Sequence, residues 1–208
     1  MLRFILSVLV SCCSLSAQYK LDQASPPPSE VVPAIAQKLN PAGIKIVGDN
    51  GSTWMELWLV ASTPSGPAST EQSVTLTTVP IGSLLGILRF PGKGSDRRGQ
   101  DFKPGVYTLR YGNYPINGDH QGVAPQRDFF VLAPASADTN PATVPTFDTL
   151  MDLSRKASGT RHPAVLSVWK ADPDDKTGLA KQGDTDWVLT TNLGSTKISI
   201  IVAGAAGS

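Results

Sequence analysis

The densest collection of side chains able to do chemistry lies between Asp96 and Asp128. Arg98, Asp101, Tyr111, Tyr114, His120, Arg127 and Asp128 stand there, with Arg97, Gln100, Arg110, Asn117 and Asp119 among them. Arginines such as Arg98 and Arg127 hold carboxylates, phosphates or carbonyl oxygens through paired donors. Asp128 follows Arg127 directly and is expected to orient it, while Tyr111 and Tyr114 would supply an amphipathic wall. The set reads as a binding seat for a small molecule, a glycan or a protein segment. A plainer reading stands beside it: Arg127 and Asp128 pair with other loop residues and fix the loop without any ligand.

Catalytic patterns are sparser. His120 and His162 are the two histidines of the chain, and Asp119 or Asp128 would complete a metal centre with them. That combination defines the alternative function, a hydrolase or metal-dependent enzyme centred on His120. No serine sits in a G-x-S-x-G elbow, and Ser158 stands four residues from His162, which is not a triad. Asp96, Asp101, Asp119 and Asp128 offer carboxylate pairs, but the separation that diagnoses glycoside hydrolysis is a property of the folded chain. Gly92-Lys93-Gly94-Ser95 fails phosphate-loop spacing and reads as a hairpin connection. Asp172, Asp174 and Asp175 lack the remaining ligands of a calcium loop and read as a solvated acidic turn. The expectation is therefore a non-enzymatic binding or structural module, with no catalytic residue and no cofactor assigned.

The elements that would position these residues are mostly strands. Apolar alternation bounded by Gly, Pro and Asn predicts strands over 44–47, 54–61, 74–79, 84–90, 106–111, 129–132, 164–169, 186–191 and 195–202. In the second of these, Met55, Leu57 and Leu59 point one way and Trp54, Trp58 and Val60 the other. All four tryptophans fall in strands, where they read as core. Helical spacing predicts a short helix over 32–39 and a second over 147–157. The second has Thr146 as its cap, Asp148 in its first turn, Arg155 and Lys156 in its last, and Gly159 just beyond. Segments 62–73, 112–126, 134–145 and 172–184 have loop composition. Strand and helix runs do not alternate, so the expected fold is mainly β: one antiparallel β-sandwich over 29–208 with two short helices, a β-barrel being the alternative. In a sandwich, the loops carrying Arg98–Asp101 and Asp119–Asp128 would meet at one end.

The run Pro104-Gly105-Val106-Tyr107-Thr108-Leu109-Arg110-Tyr111 resembles the PG-x-Y-x-L turn and strand of transthyretin-like and immunoglobulin-like sandwich modules. With His120-Gln121-Gly122 and Arg127-Asp128-Phe129, it is similar to a group of uncharacterised bacterial exported proteins. The resemblance implies a sandwich in a periplasmic or extracellular setting and carries no chemistry.

The N-terminus points the same way. Arg3, an apolar run over 4–10 and small residues over 11–17 have the layout of a secretory signal peptide, cleaved after Ala17. The alternative is Leu9-Val10-Ser11-Cys12 as a lipoprotein box, giving a membrane-anchored protein with a lipid on Cys12. Residues 18–28, with three consecutive prolines, read as a linker. Cys12 and Cys13 are the only cysteines, so neither route leaves a disulfide or a cysteine nucleophile in the folded part. Eighteen basic and 17 acidic side chains give a net charge of +1, too little to draw the chain to nucleic acid or an anionic membrane. No apolar run approaches the ~20 residues of a membrane span.

Overall fold

The computed structural model describes residues 18–114 and 126–205. The signal-peptide and lipid-anchor expectations, which concern Cys12 and Ala17, lie outside the described residues, as do Asp119 and His120. Among the described residues no helix is long and apolar enough to cross a membrane.

The strands are β1 (Lys20–Gln23), β2 (Ile44–Val47), β3 (Thr53–Leu59), β4 (Leu84–Phe90), β5 (Gly94–Ser95) and β6 (Asp101–Phe102). They continue with β7 (Gly105–Asn113), β8 (Asp128–Pro134), β9 (Val165–Lys170), β10 (Gly178–Gln182), β11 (Asp186–Leu193) and β12 (Thr196–Ala203). Helix α1 (Pro33–Ala36) precedes β2, and α2 (Phe147–Ser158) lies between β8 and β9. Ten strands form one antiparallel sheet in the order β1-β2-β3-β4-β7-β8-β9-β12-β11-β10, and β5 with β6 make a separate hairpin.

Register shows why the sheet curls around a single core. Ile46 lies opposite Met55, Leu57 opposite Leu88, and Leu88 opposite Tyr107. The line continues through Leu109 and Leu132, Phe130 and Leu166, Val168 and Ile200, and Ile200 and Leu189. Directly opposed residues share a face, so one apolar face runs through eight of the ten strands. These residues belong to one buried cluster. The two edges come together where Tyr19, just before β1, packs edge-on against Trp187 of β11. The sandwich expectation is thus corrected: the ten strands form one sheet nearly closed into a barrel, with one unsealed seam between β1 and β10. Strand spacing alone does not encode closure, because a strand alternates identically in a barrel wall and in a sandwich layer.

Local departures have local causes. Trp54 is an extra residue on β3, between the Val47–Thr53 and Ile46–Met55 pairs. A bulge re-aims the side chain it carries. Trp54 accordingly packs against Phe90 and Tyr19, and its indole N–H donates to the Val202 carbonyl, whereas Trp58 donates to Ser25 on the outside. Residues 74–79 form turns rather than the expected strand. Strand β1 forms within the segment read as a linker, and β10 within the segment read as an acidic loop. Helix α1 is a single turn started by Pro33.

Helix α2 matches the capping signals. Thr146 Oγ1 accepts from the Thr149 N–H, and Gly159 exits at φ 68° with its N–H on the Arg155 carbonyl. The helix lies on the outside of the wall, where Leu150 packs against Phe129 and Val131 of β8 and is joined by Val165 of β9. Ser154 anchors it by donating to the Ala164 carbonyl at 2.9 Å.

A cleft between the second helix and the barrel wall as the candidate functional site

Six of the seven residues expected to form one seat are described, His120 lying outside the described residues, and the structure does not gather the six into one seat. Arg98 folds back on Asp96, donating from Nε at 3.0 Å and Nη2 at 2.6 Å, and Nη2 also reaches the Pro163 carbonyl at 2.9 Å. Asp96 itself accepts from the backbone N–H groups of Arg98 and Gln100, so the turn between β5 and β6 is locked by this carboxylate. Asp101 is exposed and pairs with Lys93 across the same hairpin.

Tyr111 and Asp128 are buried on the inward face. Asp128 accepts from Tyr111 Oη at 2.6 Å, from the N–H and hydroxyl of Thr75, each at 2.9 Å, and from the Leu76 N–H at 3.1 Å. The carboxylate therefore ties the turns over 74–79 to the barrel. Burial, and then the Asp128 carboxylate, push the Tyr111 phenol far above its ordinary range. Arg127 does not turn to Asp128. Its guanidinium donates twice to the Tyr114 carbonyl, at 2.9 and 2.8 Å, and once to the Gln72 carbonyl at 2.7 Å, and it pairs with Glu71. It also lies 5.8 Å from the Tyr114 ring centroid. Arg127 and Asp128 thus hold loops in place by separate sets of bonds, and the expected pair between them is not formed.

Arg98 and Tyr114, however, both reach a cleft of about 300 Å³ on the outer wall, and His162 joins them. Its floor is apolar: Phe129, Val131 and Val165 come from the barrel, and Phe147, Leu150 and Met151 from α2. Tyr114 closes one side, its ring tilted on Phe129 at 5.4 Å. The rim is basic, made by Arg98, Arg155, Arg161 and His162. Arg98 is neutralised by Asp96, and Arg155 is partly offset by the exposed Asp152 at 2.7 Å. Arg161 is exposed and has no carboxylate partner among the described residues. Its backbone carbonyl accepts from Arg155 Nε at 3.1 Å, which ties the Arg155 guanidinium to the turn that carries Arg161.

The catalytic alternatives gain no geometry here. The Ser158 hydroxyl donates to the His162 backbone carbonyl at 2.6 Å, not to its ring. Among the described residues, no group of three His, Cys, Asp or Glu side chains could hold a metal ion. The Asp172–Asp175 turn is bridged by a cation from the chain itself, because Lys197 Nζ donates to the Pro173 and Asp175 carbonyls.

The cleft's contribution from α2 was missed because its residues looked structural. Leu150 and Met151 have the spacing of a helix's buried face, and Arg155, in the last turn, suits the helix dipole. The usable signal was the run Arg155, Lys156, Arg161 and His162, four basic residues within eight positions with no acidic residue among them. The chain matches no protein-family model, no curated protein and no solved structure.

Proposed function

We propose that this protein is an exported, non-enzymatic binding module that seats a small, partly apolar molecule in the cleft between α2 and the barrel wall. The observation that carries this reading is a pre-formed apolar floor that the fold leaves open to solvent. Phe147 is 46% exposed over a cleft whose base residues, Leu150 and Val131, are fully buried. Small-molecule seats are concave, largely apolar and begin at about 300 Å³. The helix that forms one wall is fixed at its start by Thr146 and at its end by Gly159, so the cavity does not depend on the ligand to assemble. Export is supported by the charged, apolar and small-residue tripartite N-terminus. It is checked by the mass of the mature chain, which starts at Gln18 after soluble processing or carries a lipid on Cys12.

The binding test uses an uncharged fluorescent reporter, N-phenylnaphthylamine, with the processed protein. One saturable site per chain is expected, abolished when Met151→Trp fills the cleft. Absence of saturable binding, or binding untouched by Met151→Trp, would remove the cleft as the functional site. The alternative of a hydrolase or metal-dependent enzyme centred on His120 concerns a residue outside those described. Stoichiometric metal in natively purified protein, lost with His120→Ala, would support it.

A further inference from the structure

Resting on that reading, the geometry points to the class of ligand: we infer that the cleft takes an amphiphile with a single anionic head, a carboxylate or a phosphate monoester, on an aliphatic or aromatic body. Polarity changes along the cleft. The apolar floor is formed by Phe129, Leu150, Met151 and Val165, while Arg155, Arg161 and His162 lie where α2 ends and the chain turns toward β9. Among the described residues no acidic side chain lines the cleft. Two of the cations are compensated in part or whole, Arg98 by Asp96 and Arg155 by Asp152. Arg161 is the one whose charge is not met by a carboxylate among the described residues. A guanidinium in that state offers a planar fork to a two-oxygen head group.

One term opposes an anion at this place. The C-terminal end of α2 carries a dipole charge of roughly −0.5. The two full positive charges of Arg155 and Arg161 exceed the Asp152 carboxylate and this dipole charge taken together, so the lip stays positive. The hydrogen bond from Arg155 Nε to the Arg161 backbone carbonyl ties the Arg155 guanidinium to the turn that carries Arg161, and both residues line the cleft. A neutral or cationic amphiphile would bury its tail equally well but would find no partner for its head.

The test compares four probes of matched tail on the whole processed protein by calorimetry: decanoate, decyl phosphate, decanol and decyltrimethylammonium. Decanoate or decyl phosphate is expected to bind about tenfold or more tightly than decanol, the scale of one charge-assisted paired contact, and the cation not to bind. Arg161→Gln, an exposed substitution that spares the fold, is expected to bring the anion's affinity down to that of decanol while leaving decanol unchanged. Added salt should weaken the anions alone. Equal binding of anion, alcohol and cation would overturn the head-group assignment while leaving the cleft as a binding site. Failure of all four, with the uncharged reporter also unbound, would overturn the cleft itself.

Discussion

At the residue scale, the local course of the backbone decides which charged side chains can meet. Arg127 and Asp128 are neighbours in the chain, but Arg127 lies in the bend before β8 and turns to the Tyr114 and Gln72 carbonyls, while Asp128 opens the strand and accepts from Tyr111 and Thr75. The buried pair is Arg110 with Asp138. Arg110 is fully buried on the outer face of β7, and all five of its N–H donors are used. Two go to the Asp138 carboxylate and the others to the carbonyls of Gly82, Asn140 and Thr143. This staples the loop after β8 over the wall. Asp138→Asn keeps the shape but strands a buried guanidinium, so it should cost about 3 kcal/mol or more. Urea unfolding should report it as a lower midpoint with unchanged slope. A second residue-scale expectation concerns pH. Tyr111 holds its proton well above the ordinary phenol value, chiefly through burial. Its contribution to stability is therefore intact below about pH 10, where an unfolded tyrosine begins to ionise, and is lost as pH rises beyond that. Tyr107 and Tyr19 are raised as well, both mainly by burial. Tyr111→Phe should lower stability at neutral pH by about 1–2 kcal/mol and make the alkaline loss shallower without removing it, as read from unfolding midpoints on either side of pH 10.

Elements were legible where local rules decide them. Helix α2 could be placed because Thr146, Asp148 and Gly159 act within one turn of its ends, and the observed Phe147–Ser158 differs from the expected span by one residue. Strands β4, β7, β8 and β11 were legible for the same reason, since each is a run of alternating apolar residues bounded by turns. The segment 74–79 has a strand's composition but not its fate. Asp128 takes the Thr75 and Leu76 N–H groups, which removes them from any ladder. Strand β10 was invisible because Gly178–Gln182 is polar and small and becomes a strand only by pairing with β11. The cleft was half legible: Arg98, Tyr114 and His162 were singled out, but no local rule says that the apolar side of the helix docks on Phe129, Val131 and Val165. Helix and cleft are coupled through the exit residue. Gly159 occupies the left-handed region, and a Cβ there would meet only Lys103 Cε, at an ordinary contact distance of 4.0 Å, so Gly159→Ala costs only backbone strain, about 1 kcal/mol. That strain falls on the turn carrying Arg161 and His162. The variant should unfold at lower urea by that amount and bind the uncharged reporter more weakly, while Thr146→Ala, at the far end, should cost similar stability with less effect on binding.

At the scale of the whole molecule, the open seam sets the order in which the barrel comes apart. Every other neighbouring pair of the ten strands is joined by a hydrogen-bonded ladder. Among the described residues no ladder joins β1 to β10. Both edge strands are short. Lys20 and Asp22 on one and Lys181 and Gln182 on the other discourage pairing with foreign strands. Closure depends instead on aromatic contact. The Tyr19 ring sits 5.6 Å from Trp187 and 5.9 Å from Trp54, and Trp54 reaches across to the Val202 carbonyl at 2.9 Å. Each such ring pair contributes about 0.5–1.5 kcal/mol beyond its buried area, far less than a ladder of three to seven paired residues. The seam should therefore open before the centre does, as a local event below the global unfolding energy. Tyr19→Ala removes two ring contacts at once and should speed amide hydrogen exchange in β1 and β10 by about tenfold, the kinetic equivalent of ~1.4 kcal/mol. Exchange in β7, β8 and β9 should stay near its wild-type rate, because their protection comes from ladders on both sides and from α2. If Tyr19→Ala instead sped exchange equally in the edges and the centre, the wall would open as one unit, and the seam would have to be as strong as the ladders.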